Sequence, residues 1–326
     1  DDVVPGIVMY GVPVSDCQWH PCTPESIPTF SSTAYFFARE LHKKLDGVPI
    51  GIIDASWGGT SAETWTPTDT LRKLGGYDQH VGQAINTPQA PSKKIPSRLY
   101  NGMIHPLKNF TIKGVVWYQG EGNTRQADKY TALFGAMIKS WRQAFASEFP
   151  FYFVQISPFN YRGVNAADLR QAQLETMLLP KTGMVVTTDI ANLTDIHPKN
   201  KQEVGRRLAL WALAKDYNAK LVHSGPIAKI AESSKSEVQI TFDHIGSGLT
   251  TSDGKSPSHF EIAGDDNQFH PATATIRNNR IIAAAPKVTD PKAVRYAFSS
   301  NAVPNLANKE GLPASPFSVA LNLPNQ

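Results

Sequence analysis

Short apolar runs alternate with amphipathic stretches as far as about residue 217, and this alternation constrains the fold more than any other feature of the chain. The runs Ile50 to Ala55, Ile112 to Tyr118, Phe151 to Ile156 and Met184 to Thr188 are too short for buried helices and read as strands. Between them, Ser32 to Leu45, Lys129 to Phe145, Leu169 to Leu179 and Lys201 to Lys215 carry apolar residues at helical offsets, as Leu133, Met137, Ile138 and Trp141 do. Strand and helix in alternation specify a parallel sheet flanked by helices. Gly75 to Pro96, with Pro88 and Pro91, reads as a loop. Beyond Leu221 the helical period stops. Val238 to Phe242, His259 to Ile262, Arg280 to Ala284 and Ala293 to Phe298 are separated by turns such as Ser252-Asp253-Gly254 and Asn278-Asn279, which predicts a smaller all-β part. Two domains are therefore expected, residues 1–217 and 218–326.

Composition excludes several classes of partner. Hydrophobic residues make up 41% of the chain and charged residues 18%, which suits a folded protein with a core. No run approaches the ~20 apolar residues of a membrane-spanning helix. The net charge is only +4 and the lysines and arginines are scattered, so neither a nucleic-acid nor a membrane partner is expected. Cys17 and Cys22 are close enough for a local disulfide, which would imply an oxidising compartment. Free thiols, or a zinc site with His20, are the alternatives. Asp1 is not an initiator residue, so an upstream segment is expected.

Three segments place reactive groups at the ends of these strands, where open parallel sheets bind their ligands. In Asp54-Ala55-Ser56-Trp57-Gly58-Gly59-Thr60, Ser56 matches only half of a Gly-x-Ser-x-Gly elbow, so it is a weak nucleophile candidate. Gly58 or Gly59 is better read as presenting a backbone N–H to an oxyanion. In Trp117 to Asn123, the amides of Gln119 and Asn123 are candidate oxyanion donors, and Glu121 is placed to orient a histidine. In Asp195-Ile196-His197-Pro198, a loop histidine beside an aspartate is a general-base candidate. A glycine turn, a solvated carboxylate and an ordinary loop histidine are the bland readings of the same three segments.

Taken together, Ser56 to Thr60 with Glu63 and Trp65, Leu99-Tyr100-Asn101-Gly102-Met103, Trp117 to Glu121, and Asp195 to Arg207 closely resemble the sialate O-acetylesterases of the SGNH-hydrolase superfamily, with acetylxylan esterases as relatives. Asn308 to Pro316 resembles that family's tail. The resemblance runs in order along nearly the whole chain. It implies a flavodoxin-like, three-layer α/β/α fold and hydrolysis of sugar acetyl esters without metal or cofactor. It implies His197 as the base, Gly59 or Gly58 as an oxyanion N–H, a third block at Gln119-Gly120-Glu121, and Asp195 or Glu121 as the acid. The superfamily usually has Asp three residues before the histidine, where this chain has Thr194. Many members carry Ser where this chain has Gly122. The family's nucleophilic serine lies in a Gly-Gln-Ser-Asn-Met-like block on the first strand, and no such block occurs in these 326 residues. It is expected on a missing upstream segment or on a companion N-terminal fragment, with Ser56 as the fallback.

Trp57, Trp65, Trp117 and Tyr118 are candidates for a sugar platform, and Arg98 for a carboxylate contact. The expected activity is deacetylation of O-acetylated sialic acid. Acetylated xylan is the alternative substrate, and sugar binding without catalysis the alternative function. A secreted, periplasmic or lysosome-like location goes with either.

Overall fold

The computed structural model describes residues 19–79, 81–82 and 93–321. Cys17 lies outside them, and with it the predicted disulfide and the alternative zinc site; Cys22 is exposed. The chain forms two compact units. The first comprises Asp1–Phe153, Thr176–Gly183 and Lys201–Ala209, the second Val154–Glu175, Met184–Asn200 and Leu210–Gln326. This division passes through strands and a helix, unlike the cut at residue 217 suggested by the change in sequence texture.

In the first unit, helix α1 (Ser32–Lys44) starts where the Ser31 hydroxyl accepts from the Ala34 N–H, and ends on Lys43 and Lys44, whose charges suit a helix C-terminus. Its buried residues, Ala34, Ala38 and Leu41, fall on one face. A short helix α2 (Thr68–Leu74) follows. Strand β1 (Val115–Tyr118) leads into α3 (Ala127–Ala144), which buries Tyr130, Leu133, Phe134, Met137, Ile138 and Trp141. β2 (Phe151–Val154) is buried throughout, and β3 (Thr182–Val185) completes a sheet of order β1-β2-β3. The Phe151 N–H donates to Lys181 O and the Gln155 N–H to Val185 O. The two numbers rise together, so β2 and β3 run parallel, as the alternation requires. Helix α4 (Ala166–Thr176) belongs to the second unit apart from its last residue, and α5 (Lys201–Asp216) is divided between the two at Ala209.

One predicted strand is corrected. Ile50 to Ala55 forms no strand; Ile53 is 39% exposed, and the Asp54 carboxylate accepts from the Ser31 N–H. A strand exists only as part of a ladder, and among the described residues nothing pairs with this run.

The β-rich part belongs to the second unit. Strands β4 (Ile227–Ser234), β5 (Glu237–Asp243), β7 (Phe260–Ala263), β8 (His270–Arg277), β9 (Arg280–Ala284), β10 (Ala293–Tyr296) and β12 (Phe317–Ala320) form a seven-stranded antiparallel sheet, ordered β12-β10-β7-β8-β9-β5-β4. β6 (Leu249–Thr251) pairs separately with β11 (Leu306–Asn308). Period-two alternation sends Val238, Ile240 and Phe242 of β5 inward, beside Phe260, Tyr296 and Phe317. The β8–β9 turn is Asn278-Asn279, with φ of 50° and 57°. Positive φ at both central residues is what a tight hairpin turn needs, and asparagine tolerates it. Arg295 grips its cross-strand partner Glu261 through two hydrogen bonds, at 2.8 and 3.1 Å.

Also in the second unit, the end of α5 packs on two histidines. The Trp211 ring lies 4.5 Å from His223, and His223 lies 5.1 Å from His244. Burial, Lys215 and His244 push the His223 imidazole down to about 4. Burial lowers His244 too, with Asp243 opposing and Lys215 adding to the shift. An unfolded histidine titrates near 6.5. Between that value and about 4 the unfolded chain binds more protons than the native one, so stability is full above about pH 6.5 and falls as the pH drops. Urea midpoints are expected to fall between about pH 7 and about pH 5, and to fall less in His223→Phe. Equal falls in the two proteins would remove His223 from the account.

Candidate active site

The glycine turn is held from behind by a chain of buried polar groups, all in the first unit. Gly59 has φ +71°, a conformation that suits glycine, and both Gly58 and Gly59 are exposed. The next residue, Thr60, is buried; its hydroxyl donates to Trp57 O at 2.8 Å and accepts from the Trp65 indole N–H at 3.0 Å. The Gln119 amide, just past the end of β1, donates to Thr60 O at 3.2 Å and to Asn123 Oδ1 at 2.7 Å. Its carbonyl accepts from the Tyr130 hydroxyl at 3.0 Å. Asn123 Oδ1 also accepts from the Ala62 N–H at 2.9 Å, while Asn123 Nδ2 donates to Glu63 Oε2 at 2.9 Å. Glu63 is 7% exposed and Asn123 2%. Burial, followed by the charges of Glu63 and Asp128, pushes the Tyr77 phenol up to about 12.

Gly122 lets the two segments meet. A Cβ there would lie 2.9 Å from Thr60 O and 3.4 Å from Ser61 Cα, so the backbones approach as only glycine allows. Glu121 opens the adjoining short helix Glu121–Gln126 and is half-buried.

These contacts show what holds each of the residues singled out from sequence. A primary amide has two N–H donors, and both on Gln119 are committed to Thr60 and Asn123. Asn123 donates one N–H to Glu63 and is buried. Both amides therefore brace the turn that carries the exposed residues Gly58 and Gly59. Glu63 and Tyr130 complete the support; Tyr130 carried no sequence signal. Trp117 is 8% exposed. Its ring lies 5.8 Å from Trp65, 5.8 Å from Trp141, 6.0 Å from Phe134 and 6.3 Å from Phe151, which is core packing rather than a sugar platform. Arg98 is 6% exposed, and burial lowers its pKa. Trp57 is half-buried beside the turn and Ser56 is exposed. Among the described residues no histidine hydrogen-bonds Ser56.

His197 and Asp195 sit in a self-ordered loop of the second unit. The Asp195 N–H donates to Asn192 O at 3.2 Å, and both the Thr194 N–H and its hydroxyl donate to Asn192 Oδ1. Asp195 Oδ1 accepts from the His197 backbone N–H at 3.0 Å and lies 3.6 Å from the imidazole Nδ1. The His197 side chain is 82% exposed. Thr194, at the position where the superfamily usually has aspartate, is thus turned to Asn192, and Asp195 is the carboxylate beside the ring.

A model of the carbohydrate esterase family described as sialic acid-specific acetylesterase matches residues 25–214, a stretch that includes all three motif segments. The chain belongs to that family. Sialate O-acetylesterase of Mus musculus is 35% identical over 261 residues, covering 65% of this chain and 48% of the mouse protein. The Homo sapiens enzyme is 35% identical over 247 residues, covering 67% of this chain and 46% of its own length. The chain thus spans about half the length of these relatives. A carbohydrate acetylesterase from Xanthomonas citri has a similar solved structure, with a TM-score of 0.84 at 40% identity over 93% of this chain and 68% of that one. The likeness supports the reading of an α/β part joined to an all-β part.

Proposed function

We propose that this acetylesterase-family protein is a serine carboxylesterase that removes O-acetyl groups from sugars, with O-acetylated sialic acid as the preferred substrate. The observation that carries the reading is the family match across the glycine turn, the Gln119–Asn123 segment and the Asp195–His197 loop. The serine is supplied by a segment outside these 326 residues, either upstream or on a companion fragment. Its oxygen attacks the acetyl carbonyl while His197 Nε2 takes the proton. The oxyanion forms against the N–H groups of Gly59 and Gly58. Collapse breaks the ester bond, and the sugar oxygen leaves with the proton from His197. Water then repeats the sequence on the acyl-serine and releases acetate. Asp195 holds the imidazole in its tautomer, with Glu121 as the competing acid. Trp57 borders the substrate, and no cofactor takes part.

Among the described residues no helix is long and apolar enough to cross a membrane. A secreted, periplasmic or lysosome-like location belongs to the same proposal. The test uses the complete gene product. Acetate release is measured on O-acetylated sialic acid and on acetylated xylo-oligosaccharides, and the nucleophile is mapped with a fluorophosphonate. Acetate from the sialic acid substrate and a label outside this sequence are expected. Faster release from xylan would change the substrate, a label on Ser56 would overturn the assigned nucleophile, and binding without release would make the protein a lectin.

A further inference from the structure

The cation at the glycine turn is one that the sequence motifs did not single out. The Lys93 ammonium donates a short hydrogen bond to Gly58 O. It lies 3.6 Å from where a Cβ on Gly59 would be. Lys93 is half-buried, whereas Gly58 and Gly59 are exposed. An ammonium has three donors, and Gly58 O occupies one. Among the described residues no carboxylate pairs with Lys93. Arg98, five positions on, is buried instead.

We infer that Lys93 is a specificity-determining residue that recognises an anionic substituent, a carboxylate, on the acetylated sugar presented to the Gly58–Gly59 turn. The inference rests on the esterase reading above and deepens it, by assigning the residue that meets the carboxylate. The position fits this role better than a purely structural one. A lysine that only braces a carbonyl could be replaced by any donor. A full positive charge beside two exposed glycines adds attraction for a negatively charged ligand at the point where the acyl group would be held. A flexible ammonium also tolerates a range of carboxylate orientations, unlike a guanidinium fork. Being solvent-accessible, the attraction is screened by salt.

The test compares the complete protein with Lys93→Met and Lys93→Arg on O-acetylated sialic acid and on a neutral O-acetylated hexosamine. In Lys93→Met, kcat/KM for the acidic substrate is expected to fall about tenfold, mainly through KM, with the neutral substrate changed less than about twofold. Lys93→Arg is expected to restore most of the acidic preference. In the unsubstituted enzyme that preference should shrink as salt rises from about 0.05 to about 0.5 M. An unchanged acidic-to-neutral ratio in Lys93→Met overturns the inference, whether both rates fall together or neither moves. If the unsubstituted protein deacetylates neither sugar, the esterase reading fails, and the role of Lys93 falls with it.

Discussion

Replacing His197 by alanine is expected to lower kcat by at least about 10³-fold on an O-acetylated sugar, with KM little changed. The expectation is large because the imidazole would serve twice, taking the serine proton on attack and returning it to the leaving oxygen. Without it both steps need a proton carrier from solvent. The side chain is 82% exposed, so its removal should leave the unfolding curve unmoved, and the loss can be read as chemistry. Asp195→Asn should lose less, by about 10²-fold, because the ring keeps its loop but not the carboxylate 3.6 Å from Nδ1. Glu121→Gln measured beside it decides between the two acids, since only the residue that orients the imidazole should cost that much. Retention of more than about a tenth of the wild-type turnover in His197→Ala would exclude this histidine as the base.

The second large effect concerns stability. Asn123→Leu is similar in volume but removes the hub to which Ala62, Gln119 and Glu63 all attach. A buried N–H, a buried amide and a carboxylate that is 7% exposed lose partners together. Breaking buried polar pairs on one side typically costs about 3–5 kcal/mol, and urea denaturation should show a loss of that size. Glu63→Leu in the Asn123→Leu background should then cost much less than it does alone, since the contact it would break is already gone; a double-mutant cycle measures this directly. Additive losses would show that the two residues act separately. Acetate release should fall along with stability, because the same hub fixes the glycine turn.

The four longer helices were legible in the sequence because each has apolar residues at helical offsets, whereas the short α2 (Thr68–Leu74), with Leu71 as its one buried residue, was not. The β8–β9 turn was legible because Asn278-Asn279 suits the positive φ found there. Ile50 to Ala55 was misread because β-propensity describes a residue's fit to a sheet, and no neighbouring strand is available to this run among the described residues. β4 and β8 escaped notice for the opposite reason. Ile227–Ser234 carries lysine and glutamate, and His270–Arg277 carries threonines and a proline, so neither presents a clean apolar alternation. At the site, Gln119 and Asn123 stood out as amides at a strand end, but their roles depended on which donors were already committed. That information is non-local. Glu63 lies 60 positions from its partner Asn123, and Lys93 lies 35 from Gly58. Neither distance leaves a periodic trace.

The placement of the tryptophans gives the protein an internal optical probe. Trp65, Trp117 and Trp141 share one buried aromatic cluster, so their emission should be blue-shifted and indifferent to mild acid. Trp211 is different, because its ring stands 4.5 Å from the His223 imidazole. A protonated imidazole quenches a neighbouring indole more strongly than a neutral one. Dimming on acidification that is lost in Trp211→Phe would come from that corner of the second unit. A red shift of the remaining emission would signal separately that the core of the first unit had opened. Two events in two parts of one chain could thus be followed in a single unlabelled titration.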